Sequence, residues 1–317
     1  MKVVVAGGSG FLGGWICDLL CKDPEVDAVV NYDKKPPPFP TDSPKYSYEE
    51  GLVTDAARLE AVLDGAEEAY NMAGLLGTAE LFKRMVEAVE ANVLGGVIFL
   101  EAALKAGVKR VCWPGKADRW HNMYTASKVA MEGFVRLYRK HFGQRVCVLE
   151  PWNLYGPKQT LWPIQKYFPT LAAQAILGRP MGVYGDGTHV ARISHVSTAA
   201  QIAIEATRSN DDAFGYGEEN LHICGPSMSI NDIAGAISAA AGMGSPIKHM
   251  PMRAGQLLQG LPDPPAGALE TADRLGIPSI EWEEGCPAAV AWYRNTYTNA
   301  ELERALRSQD AFTAAAS

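Results

Sequence analysis

No run of apolar residues in this 317-residue chain approaches the roughly 20 that a membrane-spanning helix needs, which excludes such a span. The N-terminus, Met1-Lys2-Val3-Val4-Val5, meets glycines at once. It has neither the apolar region nor the small-residue cleavage site of a signal peptide. Cysteine is sparse: six residues (Cys17, Cys21, Cys112, Cys147, Cys224 and Cys286), none in a CxxC pair. Reduced thiols in a cytoplasmic protein are expected. Positive charge is also in deficit, with 29 Lys and Arg against 36 Asp and Glu, a net charge of −7. Such a surface is a poor holder of nucleic acid or anionic lipid. Any phosphate must be held locally, by backbone amides and a few placed cations. No internal repeat, metal-ligand cluster or nucleic-acid motif is present, so no bound metal is expected.

What is present belongs to a folded α/β protein: 47% hydrophobic and 21% charged residues. The length suits one large α/β domain with an appended lobe. Val3 to Ala6 is a β-branched run, read as a buried parallel strand. It ends in Gly7-Gly8-Ser9-Gly10-Phe11-Leu12-Gly13, and a helical pattern follows, with Leu12, Trp15, Ile16, Leu19 and Leu20 on one side. Strand, glycine turn and helix together define a dinucleotide site. The turn must be tight, the backbone must approach a pyrophosphate, and the helix N-terminus must aim free amides at that anion.

A second strand run, Ala28 to Tyr32, ends at Asp33, 20 residues past Gly13. A carboxylate there accepts from a ribose 2′-OH and repels a 2′-phosphate, favouring NAD over NADP. Lys34 and Lys35 weaken that preference, since either could meet a 2′-phosphate. Lys34 to Pro44 carries five prolines and reads as a stiff surface loop beside the adenine end.

Tyr124 and Lys128 are four residues apart, on one face of a helix. An ammonium beside a phenol favours phenolate and lowers its pKa from about 10. Tyr124 is therefore a candidate general base or acid for a substrate hydroxyl. Further segments lie in order along the chain: Asn71-Met72-Ala73-Gly74, Asn92-Val93-Leu94-Gly95, Val108 to Val111, Pro151-Trp152-Asn153-Leu154-Tyr155-Gly156-Pro157, Val183 to Thr188, and His195-Val196. With the GxxGxxG spacing of Gly7, Gly10 and Gly13, the chain resembles the extended short-chain dehydrogenase/reductase family, in its nucleotide-sugar epimerase/dehydratase branch.

The resemblance implies an α/β fold, a Rossmann-type doubly wound parallel sheet with a smaller C-terminal substrate lobe. The expected division is a dinucleotide-binding domain over 1–150 and a mainly substrate-binding lobe over 151–317, with segments returning to the first domain. Implied cofactor contacts are Gly7, Gly10, Phe11, Leu12, Gly13, Asp33, Lys34, Leu52, Val53, Met72, Ala73, Gly74, Asn92, Tyr124, Lys128 and Pro151. Implied substrate contacts are Trp120, His121, Asn153, Arg192 and Arg253, the arginines suiting a diphosphate. The partners implied are a nucleotide sugar and a second copy of the chain. In such a dimer, helices over Asn92–Ala106 and Tyr124–Phe142 would pack through Val97, Leu100, Leu104, Val129, Phe134 and Leu137.

The chain also departs from the family pattern. The Ser or Thr expected after the strand before Tyr124 is missing, and no hydroxyl residue lies between Val111 and Met123. Lys116 is a candidate replacement as an alkoxide-stabilising donor; a hydroxyl from elsewhere and a different chemistry stay open. The acidic pair of the dehydratases is reduced to one displaced acid, Asp118, which disfavours a 4,6-dehydratase. Glu150 stands where Arg usually precedes Pro151. The leading reading is an NAD-dependent nucleotide-sugar epimerase, with C4 as the candidate carbon by resemblance and elimination. The second is an NAD(P)-dependent ketoreductase or dehydrogenase, and the third a non-catalytic dinucleotide sensor or scaffold. Elsewhere, Trp162 to Leu177 and Ser227 to Gly242 read as helices, the latter capped by Ser229 or Asn231, and Asn299 to Ser317 as a helix that frays.

Overall fold

The computed structural model describes residues 1–77, 80–116, 122–162, 164, 166–217, 219–252 and 263–316. The first half alternates strand and helix: β1 (Lys2–Ala6), α1 (Phe11–Lys22), β2 (Ala28–Asp33), β3 (Tyr46–Glu50), α2 (Ala56–Leu63) and β4 (Ala66–Asn71). Then come α3 (Met85–Val89), a π-helical turn (Glu90–Leu94), α4 (Gly95–Lys105), β5 (Arg110–Pro114), α5 (Met123–Phe142) and β6 (Val146–Pro151). The second half contains β7 (Asn153–Tyr155), α6 (Tyr167–Ile176), β8 (Met181–Tyr184), β9 (Val190–His195), α7 (Val196–Arg208) and β10 (Leu221–Ile223). It ends with β11 (Ser227–Ser229), α8 (Ile230–Ala241), β12 (Ile247–Met250), α9 (Thr271–Arg274), α10 (Trp282–Thr296) and α11 (Asn299–Ala316).

Seven parallel strands form the main sheet in the order β10-β6-β5-β4-β1-β2-β3. The order reverses at β1, so a crevice opens at the carboxyl ends of β1 and β4, where ligands of doubly wound sheets bind. Val3 and Val5 face a core with α1 and α7, and Val4 faces one with α2, α4 and α5. Both sheet faces are thus covered, which is why these strands read as continuous apolar runs. A separate core joins α6, α8, α10 and α11 over the small sheets β11-β9-β7 and β12-β8. Late segments return to the first half: β10 extends the main sheet and α7 packs against α1.

Several sequence expectations need correction. The helix read from Trp162 starts at Tyr167, with Pro169 in its first turns, where a missing N–H costs least. The helix read from Ser227 starts at Ile230, because Ser227–Ser229 pairs with β9 as a strand. Ser229 caps it, accepting from Asp232 N, while Asn231 bonds Asp186 O instead. The final helix runs to Ala316. The proline loop is tied to the second half through Phe39, whose ring meets Trp292 of α10 edge-on at 5.1 Å. Leu100 is buried in the first-half core and does not face outward; Phe134 and Leu137 do. All six cysteines are buried free thiols.

Candidate active site

The turn after β1 is shaped for close approach. Gly7 has φ +79°, and a Cβ there would strike the backbone of Met72 and Ala73. A Cβ on Gly13 would strike the Gly7 carbonyl, so α1 can lie on the turn only with glycine there. A Cβ on Gly10 meets nothing but Gly7 O, at 3.1 Å, leaving an open cradle above it. Gly10 is the N-cap of α1 and supplies no side-chain cap. The first-turn amides of Phe11, Leu12 and Gly13 have no acceptor among the described residues. Free amides at a helix N-terminus fit a pyrophosphate.

Asp33 ends β2 beside this turn. Its Oδ2 accepts from Ser9 N at 3.2 Å and its Oδ1 from Lys35 N at 3.3 Å. Burial pushes its carboxyl up, and these N–H bonds pull it back. Lys34 is exposed next to it. Leu52, after β3, leaves 54% of its surface open, and its carbonyl accepts from the Tyr32 hydroxyl. Val53 packs under Gly95. Free amides, a carboxylate and an exposed apolar side chain, groups suited to a pyrophosphate, a ribose and an adenine, thus follow one another in chain order.

The second cluster is carried by α5. Asn122 caps this helix, accepting from Thr125 N at 3.0 Å, and Gly143 ends it at φ +64°. Arg139, Lys140 and His141 fill the last turn, where cations suit the helix dipole. Lys128 points from α5 toward the ends of β4 and β5, and Tyr124 stands one turn before it on the same helix. Lys128 is only 3% exposed, and its Nζ lies 4.5 Å from the centre of the Trp113 ring. A Cβ on Gly74 would sit 3.8 Å from the same Nζ, so the β4 end passes directly over the lysine. Neither the Tyr124 hydroxyl nor Lys128 Nζ has a hydrogen-bond partner among the described residues.

The expected lowering of the phenol is overturned. Burial pushes Tyr124 up to about 12 and pulls Lys128 down to about 7, the latter against the charge of Glu132. Pairing arguments assume solvated partners, whereas here desolvation acts on both groups and outweighs their attraction.

Asn92 lies in the π-helical turn, a distortion frequent at functional sites. Its amide donates to Leu75 O at 3.0 Å and Ser127 Oγ at 2.9 Å, and its Oδ1 accepts from Leu75 N at 2.6 Å. It clips the segment after β4 to α5. Ser127 in turn donates to Tyr124 O at 2.8 Å, so its hydroxyl does not replace the missing one. Met72 and Ala73 line the β4 end, and Pro151 ends β6. The backbone N–H of Lys116 donates to Glu132 Oε1 at 3.0 Å.

In the second half, Asn153 Nδ2 donates to Arg192 O at 3.2 Å, joining β7 to β9. The Arg192 side chain is mostly buried and bonds Asp263 Oδ1 at 3.0 Å, while its Nε lacks a partner among the described residues. His195 is a framework residue: its Nδ1 caps α7 through Ser197 N at 3.2 Å, and burial holds it down at about 4. Trp120, His121 and Arg253 lie outside the described residues. Among those described, no group of three or more His, Cys, Asp or Glu could hold a metal, and no helix is long and apolar enough to cross a membrane.

Sequence reasoning missed Trp113, the floor beneath Lys128, and Glu132, one turn beyond Lys128 on α5. The i+4 spacing from Lys128 was the available signal for Glu132. Nothing in the sequence marks Asp263 as the partner of Arg192.

A glycine-turn dinucleotide crevice beside a half-buried Tyr124 and a buried Lys128 on one helix defines a redox enzyme of the short-chain dehydrogenase/reductase type. The family model described as "NAD dependent epimerase/dehydratase family" matches residues 3–218. The chain belongs to this family, whose members use NAD and whose relatives act on nucleotide sugars as epimerases, dehydratases and decarboxylases. It is 23% identical to a UDP-N-acetyl-alpha-D-glucosaminuronate decarboxylase of Bacillus cytotoxicus, over 92% of this chain and 98% of that protein. It is 24% identical to a dTDP-glucose 4,6-dehydratase of Streptomyces antibioticus, over 93% of each. The crystal structure of UDP-glucose 4-epimerase from Thermotoga maritima with UDP-glucose superposes with a TM-score of 0.82, at 20% identity, covering 93% of this chain and 99% of that one.

Proposed function

We propose that the protein is an NAD-dependent epimerase of a nucleotide-activated sugar, acting at C4 through a transient keto-sugar. The observation that carries this reading is the buried Lys128 under the end of β4, with Tyr124 one turn before it on α5, the Lys128 Nζ and the Tyr124 hydroxyl both without hydrogen-bond partners among the described residues. Bound NAD supplies a hydride acceptor and a positive charge. Tyr124 takes the proton of the reacting hydroxyl and returns it after the keto-sugar has turned over. Its pKa of about 12 must fall for this, and a cation at the mouth together with charged Lys128 acts in that direction. Lys128 also offers donors to the nicotinamide ribose. Asn153 and Arg192 face the diphosphate, with Asp263 displaced from Arg192 as substrate enters.

A second reading, a ketoreductase or dehydrogenase of a keto-sugar, draws on the end of β5, where Gly115-Lys116 offers no hydroxyl. The retained Tyr124 and Lys128 weigh against a non-catalytic sensor. The exposed stripe Ala126, Ala130, Phe134 and Leu137 on α5, beside exposed Val86 and Val89 on α3, supports a homodimer. The reduced, buried thiols support a cytoplasmic site.

The deciding experiment denatures purified protein and identifies what it releases. Stoichiometric NAD, with interconversion of C4 epimers in a panel of UDP- and dTDP-sugars, is the expected result. Protein that purifies empty and oxidises NAD(P)H with a carbonyl substrate supports the second reading. Failure to bind either dinucleotide overturns both.

A further inference from the structure

The helix that offers its N-terminal amides to a pyrophosphate also holds two distant parts of the chain at a single side chain. Asp18 of α1 accepts from Thr41 Oγ1 at 2.6 Å through Oδ1 and from Lys158 Nζ at 2.5 Å through Oδ2. Thr41 lies in the proline loop of the first half. Lys158 lies in the turn that follows β7 and leads on toward α6 in the second half. Three residues before Asp18, Trp15 Nε1 donates to Pro157 O at 3.0 Å, and the Trp15 ring meets His195 edge-on at 6.0 Å. Trp15 and Asp18 share one face of α1. The Asp18–Lys158 pair is largely withdrawn from water, its side chains 13% and 28% exposed. Lys158 has φ +70°, the one non-glycine residue in the left-handed region among the described residues. A lysine stays there only when its surroundings hold it. The Asp18 ion pair and the Trp15 bond to the neighbouring carbonyl are such surroundings.

The proline loop leads from Asp18 back to the cofactor end. At its root Lys35 N donates to Asp33 Oδ1, Ser9 N donates to Asp33 Oδ2, and Ser9 Oγ donates to Lys35 O at 2.7 Å. The loop then passes Phe39 against Trp292 of α10 and Thr41 on Asp18, and Lys45 Nζ closes it onto Asp23 O at 2.6 Å, at the far end of α1. Prolines at 36, 37, 38, 40 and 44 restrict its backbone, so a loop fixed at its root has little freedom left at Thr41. The carboxylate suited to a ribose is thus the one that anchors the loop. The element with two states is the turn over 156–159, docked on Trp15 and Asp18 or released from them. A ligand that removes freedom at the root lowers the entropy still to be lost when the turn docks.

We propose that Asp18 couples the cofactor crevice to the second half: NAD fixes the root of the proline loop and the start of α1, and through Asp18 this holds the turn over 156–159 in the state that receives the second ligand. Asp18 is a positioning residue, acting through Thr41 and Lys158. That the second ligand is a nucleotide sugar rests on the function proposed above; the docking of the turn by NAD does not.

Hydrogen exchange of the full chain, stripped of dinucleotide and then loaded with NAD, tests the docking without any sugar. NAD should slow exchange of the wild type about threefold or more at 156–159 and around Trp292. In Asp18→Ala the slowing at 156–159 should vanish, in protein whose melting confirms the fold. Lys158→Gly removes the same ion pair at a φ that glycine adopts freely, and should lose the slowing as well. No slowing in the wild type, or slowing that survives in both variants, overturns the proposal. Calorimetry with UDP and dTDP then measures the coupling itself. NAD should raise the affinity of the wild type for the nucleotide about tenfold, the nucleotide should raise NAD affinity by the same factor, and both factors should fall below about threefold in Asp18→Ala. A factor unchanged in that variant overturns the role of Asp18. Failure of UDP and dTDP to bind at all would count against the function proposed above, while the exchange measurement still decides whether NAD docks the turn through Asp18.

Discussion

The two ends of the crevice are built on different principles. At the β1–α1 end, the groups offered to a ligand are backbone: the amides of Phe11, Leu12 and Gly13, and a turn that tolerates no Cβ at Gly7 or Gly13. At the β5–α5 end they are side chains, Tyr124, Lys128, Trp113 and Glu132, drawn from two elements and set by burial. The backbone end follows the family pattern closely. The side-chain end has lost its hydroxyl residue and gained a carboxyl where the pattern has Arg. A backbone site can change only by refolding, whereas a side-chain site can change its chemistry within the same fold.

The sharpest way to separate the two ends is Tyr124→Phe. Removing the only phenol that α5 presents beside Lys128 should lower kcat about a thousandfold, within the range for general acid–base catalysis. NAD affinity, measured by calorimetry, should change less than threefold, roughly 0.6 kcal/mol. Retained turnover would remove Tyr124 from the chemistry. Lost NAD binding would mean that the two ends are not separable.

Gly13→Ala is the converse experiment. The added methyl meets the Gly7 carbonyl, so α1 must lift from the turn. We expect a stability loss of about 1–3 kcal/mol in chemical denaturation, as for overpacking generally. NAD affinity should fall at least tenfold while the Tyr124–Lys128 geometry is kept. Wild-type affinity in Gly13→Ala would show that pyrophosphate binds elsewhere.

The contrast also explains what the sequence could reveal. β1, β2, the glycine turn and Asp33 were legible because each depends on residues close in the chain: β-branched runs, fixed glycine spacing, and an acid at the next strand end. Tyr124 and Lys128 were legible as a pair through their i, i+4 spacing. Their protonation was not, because burial of Lys128 depends on Trp113 and Gly74, which belong to other elements. The seat of the Glu132 carboxyl beside Gly115 and Asn220 needed a missing Cβ at Gly115, which no local pattern carries. Leu100 was misassigned to an outer face because helical periodicity reveals an apolar stripe but not what covers it. Ser227–Ser229 became a strand because β9 offered it an edge, a tertiary effect that local pattern does not carry.

The mildest test lies inside the backbone end, at the one place where a side chain sets specificity. Asp33 spends one oxygen on Ser9 N and the other on Lys35 N, so it is fixed before ligand arrives. Each oxygen keeps capacity for a ribose hydroxyl. Asp33→Asn keeps shape and one acceptor but removes the negative charge that opposes a 2′-phosphate. With Lys34 and Lys35 exposed alongside, NADP affinity should rise about tenfold and NAD affinity fall by a few-fold, a change of about 1.4 kcal/mol in preference for the first term alone. Competition binding of the two dinucleotides measures this directly. An unchanged ratio would show that discrimination comes from the lysines or the loop after them, and that the backbone end is insensitive to the charge at its rim.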